Sequence, residues 1–454
     1  MEDQEMALRR KAIVGTIVGL VASLGLSGVA KAESVSGSGA TFPKTFLDAC
    51  IPLFNQKSGH TLSYTAKGSG GGKRDFRGNL VDFAGTDSLV AASEAPSFGW
   101  TYVPYVLGGI GVVFRLDELK GADLSLSAAT VGGIFSGKIT KWNDPAIARD
   151  VKAHPVFANT VKKSYYKGAV VTMKAESATA ATVAVNMTAA AAKATKGKKI
   201  DVIQTLKGKK TVVKSVPTKV GAVTIALKTV PNAEYTINAN DKRLASFKSA
   251  KVALPDKNIT VVYRSDGSGT TNNFVNYLRN TDAANPWTTN DAFTSAFPGG
   301  ASAVPGSFQG QSGSTALSNY VADNNGTIGY TEVSFVIERE AKGMKAAYIK
   351  NAAGEYVYPT SANVSAFLSD YIPGAKGTIS FKYDNQDPNA YPITAVTYLL
   401  GKTTPSEKNA IVSNFATFLL DECGPQLAES LYYAPVTGSL LKAAESLAKT
   451  INAG

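Results

Sequence analysis

Histidine and cysteine are scarce: the chain has two of each in 454 residues. His60 and His154 stand far apart and in no ligand-spaced cluster, which argues against a metal centre and against metal-assisted chemistry. Long apolar runs are also missing. After residues 12–30, no stretch is long enough to cross a bilayer. Acidic residues are nearly absent from one region: Val151 to Leu254 holds four (Glu176, Asp201, Glu234, Asp241) against 18 lysines and one arginine. The net charge of the whole chain is +12, so this segment carries all of the excess and the remainder is slightly negative. Aromatic residues are sparse there, and no basic helix or stacking platform is evident. Nucleic acid is therefore a poor partner for it.

What remains is ordinary globular composition, 44% hydrophobic and 18% charged, with length for two or three domains. The 42 glycines fall in short groups, which points to glycine turns rather than a flexible linker. The N-terminus reads as an export signal. Arg9-Arg10-Lys11 is its charged part, Ala12 to Ala30 its apolar part, and Ala30-Lys31-Ala32 a small-x-small cleavage site. Residues 1–32 would then be removed, and the mature chain would begin near Glu33 outside the cytoplasm. The alternative is an uncleaved anchor. No cysteine lies at the junction to carry a lipid. In an oxidising compartment Cys50 and Cys423 could form one bridge, worth about 3–5 kcal/mol in the chain-entropy treatment. Two buried thiols in separate helices is the competing reading.

Arg264-Ser265-Asp266-Gly267-Ser268-Gly269-Thr270 follows an apolar strand pattern, Ile259 to Tyr263, and precedes a helical one, Thr271 to Leu278. A glycine and hydroxyl turn in that position aims backbone N–H groups at an anion. It is equally good helix-capping chemistry. Two other segments share the design: Gly39-Ala40-Thr41-Phe42 before the Cys50 helix, and Gly68-Ser69-Gly70-Gly71-Gly72 after the strand Thr61–Thr65. An anion taken fully from water needs many donors at once, so the recurrence says more than any single motif. Val81-Asp82-Phe83-Ala84-Gly85-Thr86-Asp87 reads as a short strand ending at an acid. Alone, Asp87 is an ordinary turn aspartate.

Strands alternate with helices up to about residue 150, an α/β texture with a mostly parallel sheet. Tyr105 to Val113 is a continuous apolar run, the mark of a buried strand. From Val151 to Leu254 the pattern becomes strand after strand (Gly168–Met173, Thr182–Val185, Thr211–Val216, Ala222–Leu227, Glu234–Ile237), suggesting a small inserted β-sandwich. Ala189 to Lys199 is either a short helix or a lysine-rich loop. The α/β texture then returns through Gly326–Tyr330, Ala390–Leu400 and two late helices. Tyr64, Phe76, Phe83 and Trp142 are read as core.

Taken together, Gly39-Ala40-Thr41-Phe42-Pro43, Gly68-Ser69-Gly70-Gly71, Val81-Asp82-Phe83 with Thr86-Asp87, Gly137-Lys138-Ile139 with Lys141-Trp142, Arg264 with Asp266-Gly267-Ser268-Gly269-Thr270, Gly329-Tyr330 and Tyr391-Pro392-Ile393-Thr394 resemble, in order, the PstS-type phosphate-binding proteins of ABC phosphate importers. The resemblance covers roughly residues 35–150 and 255–440. It implies a two-lobed α/β fold of the type II periplasmic-binding-protein kind, its lobes joined by two crossing strands. Lobe 1 would be 33–114 and 392–454, lobe 2 would be 115–150 and 255–391, and the β-rich 151–254 would be an insert without counterpart.

The resemblance also implies a ligand set for inorganic phosphate. Thr41 and Phe42 would give backbone N–H groups, Thr41 and Ser69 hydroxyls, and Ser268, Gly269 and Thr270 donors from the far lobe. Arg264 would pair with the oxyanion and be steadied by Asp266. Asp87 would act as an acceptor, favouring an anion that still carries a proton, as hydrogenphosphate does and sulfate does not. It further implies delivery to a membrane permease, no cofactor, no metal and no catalytic residues. Two other readings stay open: a cell-surface phosphate-ester hydrolase, for which Ser69 and Ser268 lack an evident base, and a surface adhesin on the same fold. The basic insert is either a solvated face that protects strand edges or a contact for an anionic cell-surface polymer.

Overall fold

In the computed structural model the described residues are 32–119, 123–153, 157–159, 161, 164–175, 180–195, 198–230, 233–249 and 254–453. The export signal, bar Ala32, and His154 lie outside them. No helix among the described residues is long and apolar enough to cross a membrane. Ser34 onward forms one body.

Its frame is a ten-stranded mixed sheet. The apolar run around Tyr105–Val113 belongs to a longer strand, Trp100–Arg115, buried almost throughout. Residues Trp100–Gly109 of this strand pair antiparallel with Thr394–Lys402, and Ile110–Arg115 pair antiparallel with Thr327–Glu332. The strand therefore changes neighbours at Gly109/Ile110. On one side stand the parallel strands Ser34–Gly39, Thr61–Ala66 and Phe83–Thr86. On the other stand Thr260–Arg264 and Gln309–Gln311, parallel to each other. A second crossing runs beside the first: Ile110 N donates to Ile393 O (2.8 Å), and Tyr391 Oη donates to Ile110 O (2.8 Å). Two lobes joined by two crossings follow from these pairings.

The strand Ser34–Gly39 is not legible in its sequence, which has one apolar residue in six. It forms because small residues let helix Ser69–Arg77 lie directly on it. A Cβ at Gly72 would stand 2.8 Å from Ser38 O and 3.1 Å from Gly85 O. Gly70, Gly71 and Gly72 are thus the buried first turn of that helix rather than the turn before it. The cost of glycine in a helix, about 1 kcal/mol each, is accepted for that close approach.

Cys50 and Cys423 are bridged, with Cα atoms 5.9 Å apart across a separation of 373 residues. The bridge ties the helix Lys44–Ser58 to the end of Glu407–Phe418 and its continuation.

The insert is β-rich, as its pattern indicates. Two antiparallel sheets, one of five strands and one of three, share their own apolar core, which includes Val183, Val185, Ile200, Val202, Tyr235 and Phe247. Ala189–Ala194 resolves as a short helix capped by Thr188, whose Oγ1 accepts from Ala191 N (3.3 Å). The strands Phe157–Asn159, Lys199–Leu206 and Lys242–Ser249 are additional to those read from the sequence. The stems of the insert meet: Lys141 bridges Asn258, and Trp142 N donates to Lys257 O (2.9 Å). The chain can therefore leave and re-enter lobe 2 without disturbing its sheet. Trp142, Phe76 and Phe83 are core residues, and Trp142 Nε1 is satisfied by Gly326 O (3.1 Å).

Candidate functional site

Four helix N-termini converge where the lobes meet. Thr41 and Phe42 precede helix Lys44–Ser58, Ser69 opens Ser69–Arg77, Gly269 opens Gly269–Thr281, and Gly313 opens Gly313–Asp323. Each brings the positive end of a helix dipole and first-turn N–H groups that have no partner within their own helix.

Thr41, Phe42, Ser69, Asp87, Arg264, Ser268 and Thr270 are all buried, and the structure brings them to one seam. Thr41 Oγ1 lies 2.9 Å from Ser314 Oγ, which also accepts from Arg264 Nη1 (3.0 Å). Ser69 Oγ accepts from Asp87 N at 3.1 Å and stands 3.4 Å from Asp87 Oδ2. Gly70 N donates to Gly267 O (3.0 Å), and Asn273 Nδ2 donates to Asp87 O (2.6 Å), both across the seam. Gly269 is required by this closeness: a Cβ there would sit 2.5 Å from Ser69 Oγ and 2.6 Å from Asp87 Cβ.

Arg264 is 2% exposed and locked on one side by Asp266, whose Oδ1 and Oδ2 accept from Nε (2.7 Å) and Nη2 (2.5 Å). Asp266 Oδ1 also accepts from Gly313 N (2.9 Å). Burial pulls the Asp266 carboxyl up, but the paired guanidinium overrides it and holds the group below its ordinary value. Burial likewise opposes the Arg264 charge, and Asp266 outweighs it, so the guanidinium stays fully charged. Ser268 is the N-cap: its Oγ accepts from Thr271 N (3.2 Å). Both readings of this stretch hold together, because a capping hydroxyl keeps its own hydrogen to donate. Thr270 Oγ1 is buried and has no hydrogen-bond partner among the described residues. A buried hydroxyl without a partner in the first turn of a helix is a donor in need of an acceptor.

Asp87 accepts from Thr397 Oγ1 (2.8 Å). Burial, reinforced by the charge of Glu332 and only partly opposed by Thr397, Arg264 and Ser69, pushes its carboxyl up from 3.8 to about 8. It also lines a cleft of about 430 Å³ shared with Asn272, Asn273, Arg279 and Tyr398.

Ser314, Glu332, Asn273 and Thr397 belong to this seam and were not found by reading motifs. Ser314 carried a usable signal, since Gln311-Ser312-Gly313-Ser314-Thr315 is a fourth glycine and hydroxyl turn before a helix. Thr397 and Glu332 carried none: one is a single hydroxyl inside an apolar strand, the other a charge at a strand end. Among the described residues no group of three or more His, Cys, Asp or Glu could hold a metal ion.

Comparison with known proteins agrees with this frame. A solved high-affinity periplasmic phosphate-binding protein, bound with phosphate, superposes with a TM-score of 0.55 at 17% identity, covering 91% of this chain and 93% of that one. The protein named phosphate-binding protein PstS from Xylella fastidiosa (strain Temecula1) is 23% identical over 419 residues, 92% of this chain and 85% of the relative. That of Haemophilus influenzae is 25% identical over 433 residues, 95% of this chain and 97% of the relative. The family model described as a PBP superfamily domain matches residues 27–247 and 167–422. The chain belongs to the PBP superfamily and is PstS-like in sequence and fold.

Proposed function

We propose that the chain captures inorganic phosphate between its lobes outside the cytoplasm and delivers it to the membrane permease of an ABC phosphate importer. The observation that carries this reading is the seam itself. One buried guanidinium, the unpartnered Thr270 hydroxyl, four helix N-termini and the buried, upward-displaced Asp87 carboxyl lie along it. Thr41, Phe42, Ser69, Ser268, Gly269 and Thr270 supply donors, Arg264 the charge, Asp266 its orientation, and Asp87 the proton-sensitive contact. Hinge motion about the two crossing strands would open and close the seam. Ser268 Oγ caps a helix and Ser69 Oγ meets the Asp87 carboxyl, and we read both hydroxyls as donors to a bound anion rather than as nucleophiles. Calorimetric titration of residues 33–454 with phosphate tests the reading; a chain that takes up no phosphate would end it.

The insert we read as a contact for an anionic cell-surface polymer. Lys198, Lys199, Lys207, Lys209, Lys210 and Lys214 are exposed and, among the described residues, form no ion pair. Because the insert has a core separate from that of the lobes, deleting 155–250 should leave phosphate affinity within about threefold. The same deletion should abolish adsorption to an anionic polymer at low salt. A large loss of phosphate affinity would place the insert in the phosphate site instead.

A further inference from the structure

Helix Ser69–Arg77 puts Ser69 and Lys73 one turn apart on the same face. Lys73 is 4% exposed, and a buried ammonium needs partners. Two lie on its own side of the seam: Glu94 Oε2 at 2.8 Å and Leu89 O at 3.3 Å. The third lies across it. Asp291 Oδ2, from the segment after helix Gly269–Thr281, stands 3.0 Å from Lys73 Nζ. The same oxygen accepts from Ser88 Oγ (2.9 Å), so one carboxylate holds two donors of the opposite wall. Asp291 Oδ1 accepts from Asn272 Nδ2 (2.9 Å) on its own side. The crossings from Gly70 to Gly267 and from Asn273 to the Asp87 carbonyl join uncharged groups. The crossing from Lys73 to Asp291 joins full charges.

Both ends of this pair are tied to residues of the ligand set. Lys73 follows Ser69 by one helical turn, and the Asp291 carbonyl accepts from Ser268 N (2.9 Å). The pair therefore forms when the two walls stand in register. It is also built to part. On separation Lys73 keeps Glu94 and Leu89 O, and Asp291, already 17% exposed, keeps Asn272 and gains water, so neither charge is stranded. Arg264 and Asp266, by contrast, lie on one side of the seam and stay together. We propose that Lys73 and Asp291 are a latch across the seam: positioning residues outside the ligand set that hold the closed state and so set how long it keeps its anion. This rests on the phosphate-binding reading above. A contact made only in the closed state favours that state alone. It slows release, while capture, which happens with the seam open, is almost unchanged.

The test separates release from capture on residues 33–454. Chasing bound radiolabelled phosphate with excess unlabelled phosphate gives the dissociation rate, calorimetry gives Kd, and their quotient gives the association rate. Lys73→Met removes one charge of the latch. Asp291→Asn removes the other and keeps an acceptor for Ser88 and Asn272. Each should speed release about tenfold, with association within about twofold of the unaltered chain. The double variant should release no faster than the faster single one, because both remove the same contact. Glu94→Gln is the control: it takes a partner from Lys73 on its own side and leaves the crossing intact, so it should not speed release. Unchanged release in a folded Lys73→Met or Asp291→Asn variant would overturn the proposal. Glu94→Gln speeding release as much as Lys73→Met would overturn it too, by making Lys73 a structural residue of its own wall. So would loss of the fold in both latch variants. Failure of the unaltered chain to bind phosphate would instead defeat the reading beneath it.

Discussion

Replacing Arg264 by alanine is expected to lower phosphate affinity by at least about 100-fold, since a broken buried ion pair costs roughly 3–5 kcal/mol and each 1.4 kcal/mol is a factor of ten. The loss has two parts. The oxyanion loses its one full positive charge, and three carboxyl groups, Asp87, Asp266 and Glu332, are left around the same small volume. Lysine should not restore binding. Arg264 serves Asp266 with Nε and Nη2 while Nη1 reaches Ser314, a division of labour that a single ammonium cannot reproduce. Calorimetric titration gives the affinity, and a thermal melt in the same buffer separates lost binding from lost fold. Affinity within threefold of the unaltered chain would show that the guanidinium is structural.

The second large effect belongs to Asp87→Asn. Above about pH 8, where the native carboxyl is ionised, the variant should bind sulfate about 100-fold better than the unaltered chain, because an amide Nδ2 offers a donor where the carboxylate offered only lone pairs and charge. Phosphate, losing a charged acceptor for its remaining hydrogen, should weaken by roughly tenfold. The same substitution has a signature without ligand. The folded-state pKa is about 8, against an ordinary 3.8, so between those values the folded chain holds a proton that the unfolded chain has released. Stability therefore falls as pH rises through that window and is level on either side. The Asn variant should lack this decline, and denaturant melts at several pH values without phosphate would reveal it. Parallel pH profiles for the two chains would mean that Asp87 titrates normally. Hydration of an ionised Asp87 also favours an open cleft, so the ligand-free chain should spend more time open as pH rises.

Much of this site was legible because its chemistry is local. Thr41-Phe42, Gly68 to Gly72 and Asp266 to Thr270 each announce a helix entry within a few residues, and the continuous apolar run at Tyr105 announces a strand buried on both faces. The basic β-rich insert declared itself through charge and strand spacing. What stayed hidden depends on partners far away in sequence. Ser34–Gly39 is a strand only because glycines admit a helix against it, and Thr397 matters only because its strand places one hydroxyl beside Asp87. Glu332 stands two residues after Gly329-Tyr330, but nothing in that motif marks it, and its bearing on Asp87 appears only when the lobes are brought together. The proton on Asp87 was the least legible of all. Sequence supplies the carboxyl, but its displacement comes from burial and from the Glu332 charge. It restricts the acceptor argument to the alkaline side, where the carboxyl is ionised.

The most direct test is therefore calorimetry of residues 33–454 with phosphate and sulfate at about pH 9 and about pH 6, on either side of the Asp87 midpoint. The expected result is tight phosphate binding at both, with sulfate about 1,000-fold weaker at the higher pH and the gap narrowing at the lower. Equal affinity for the two anions at the higher pH, or no phosphate binding at either, would contradict the account.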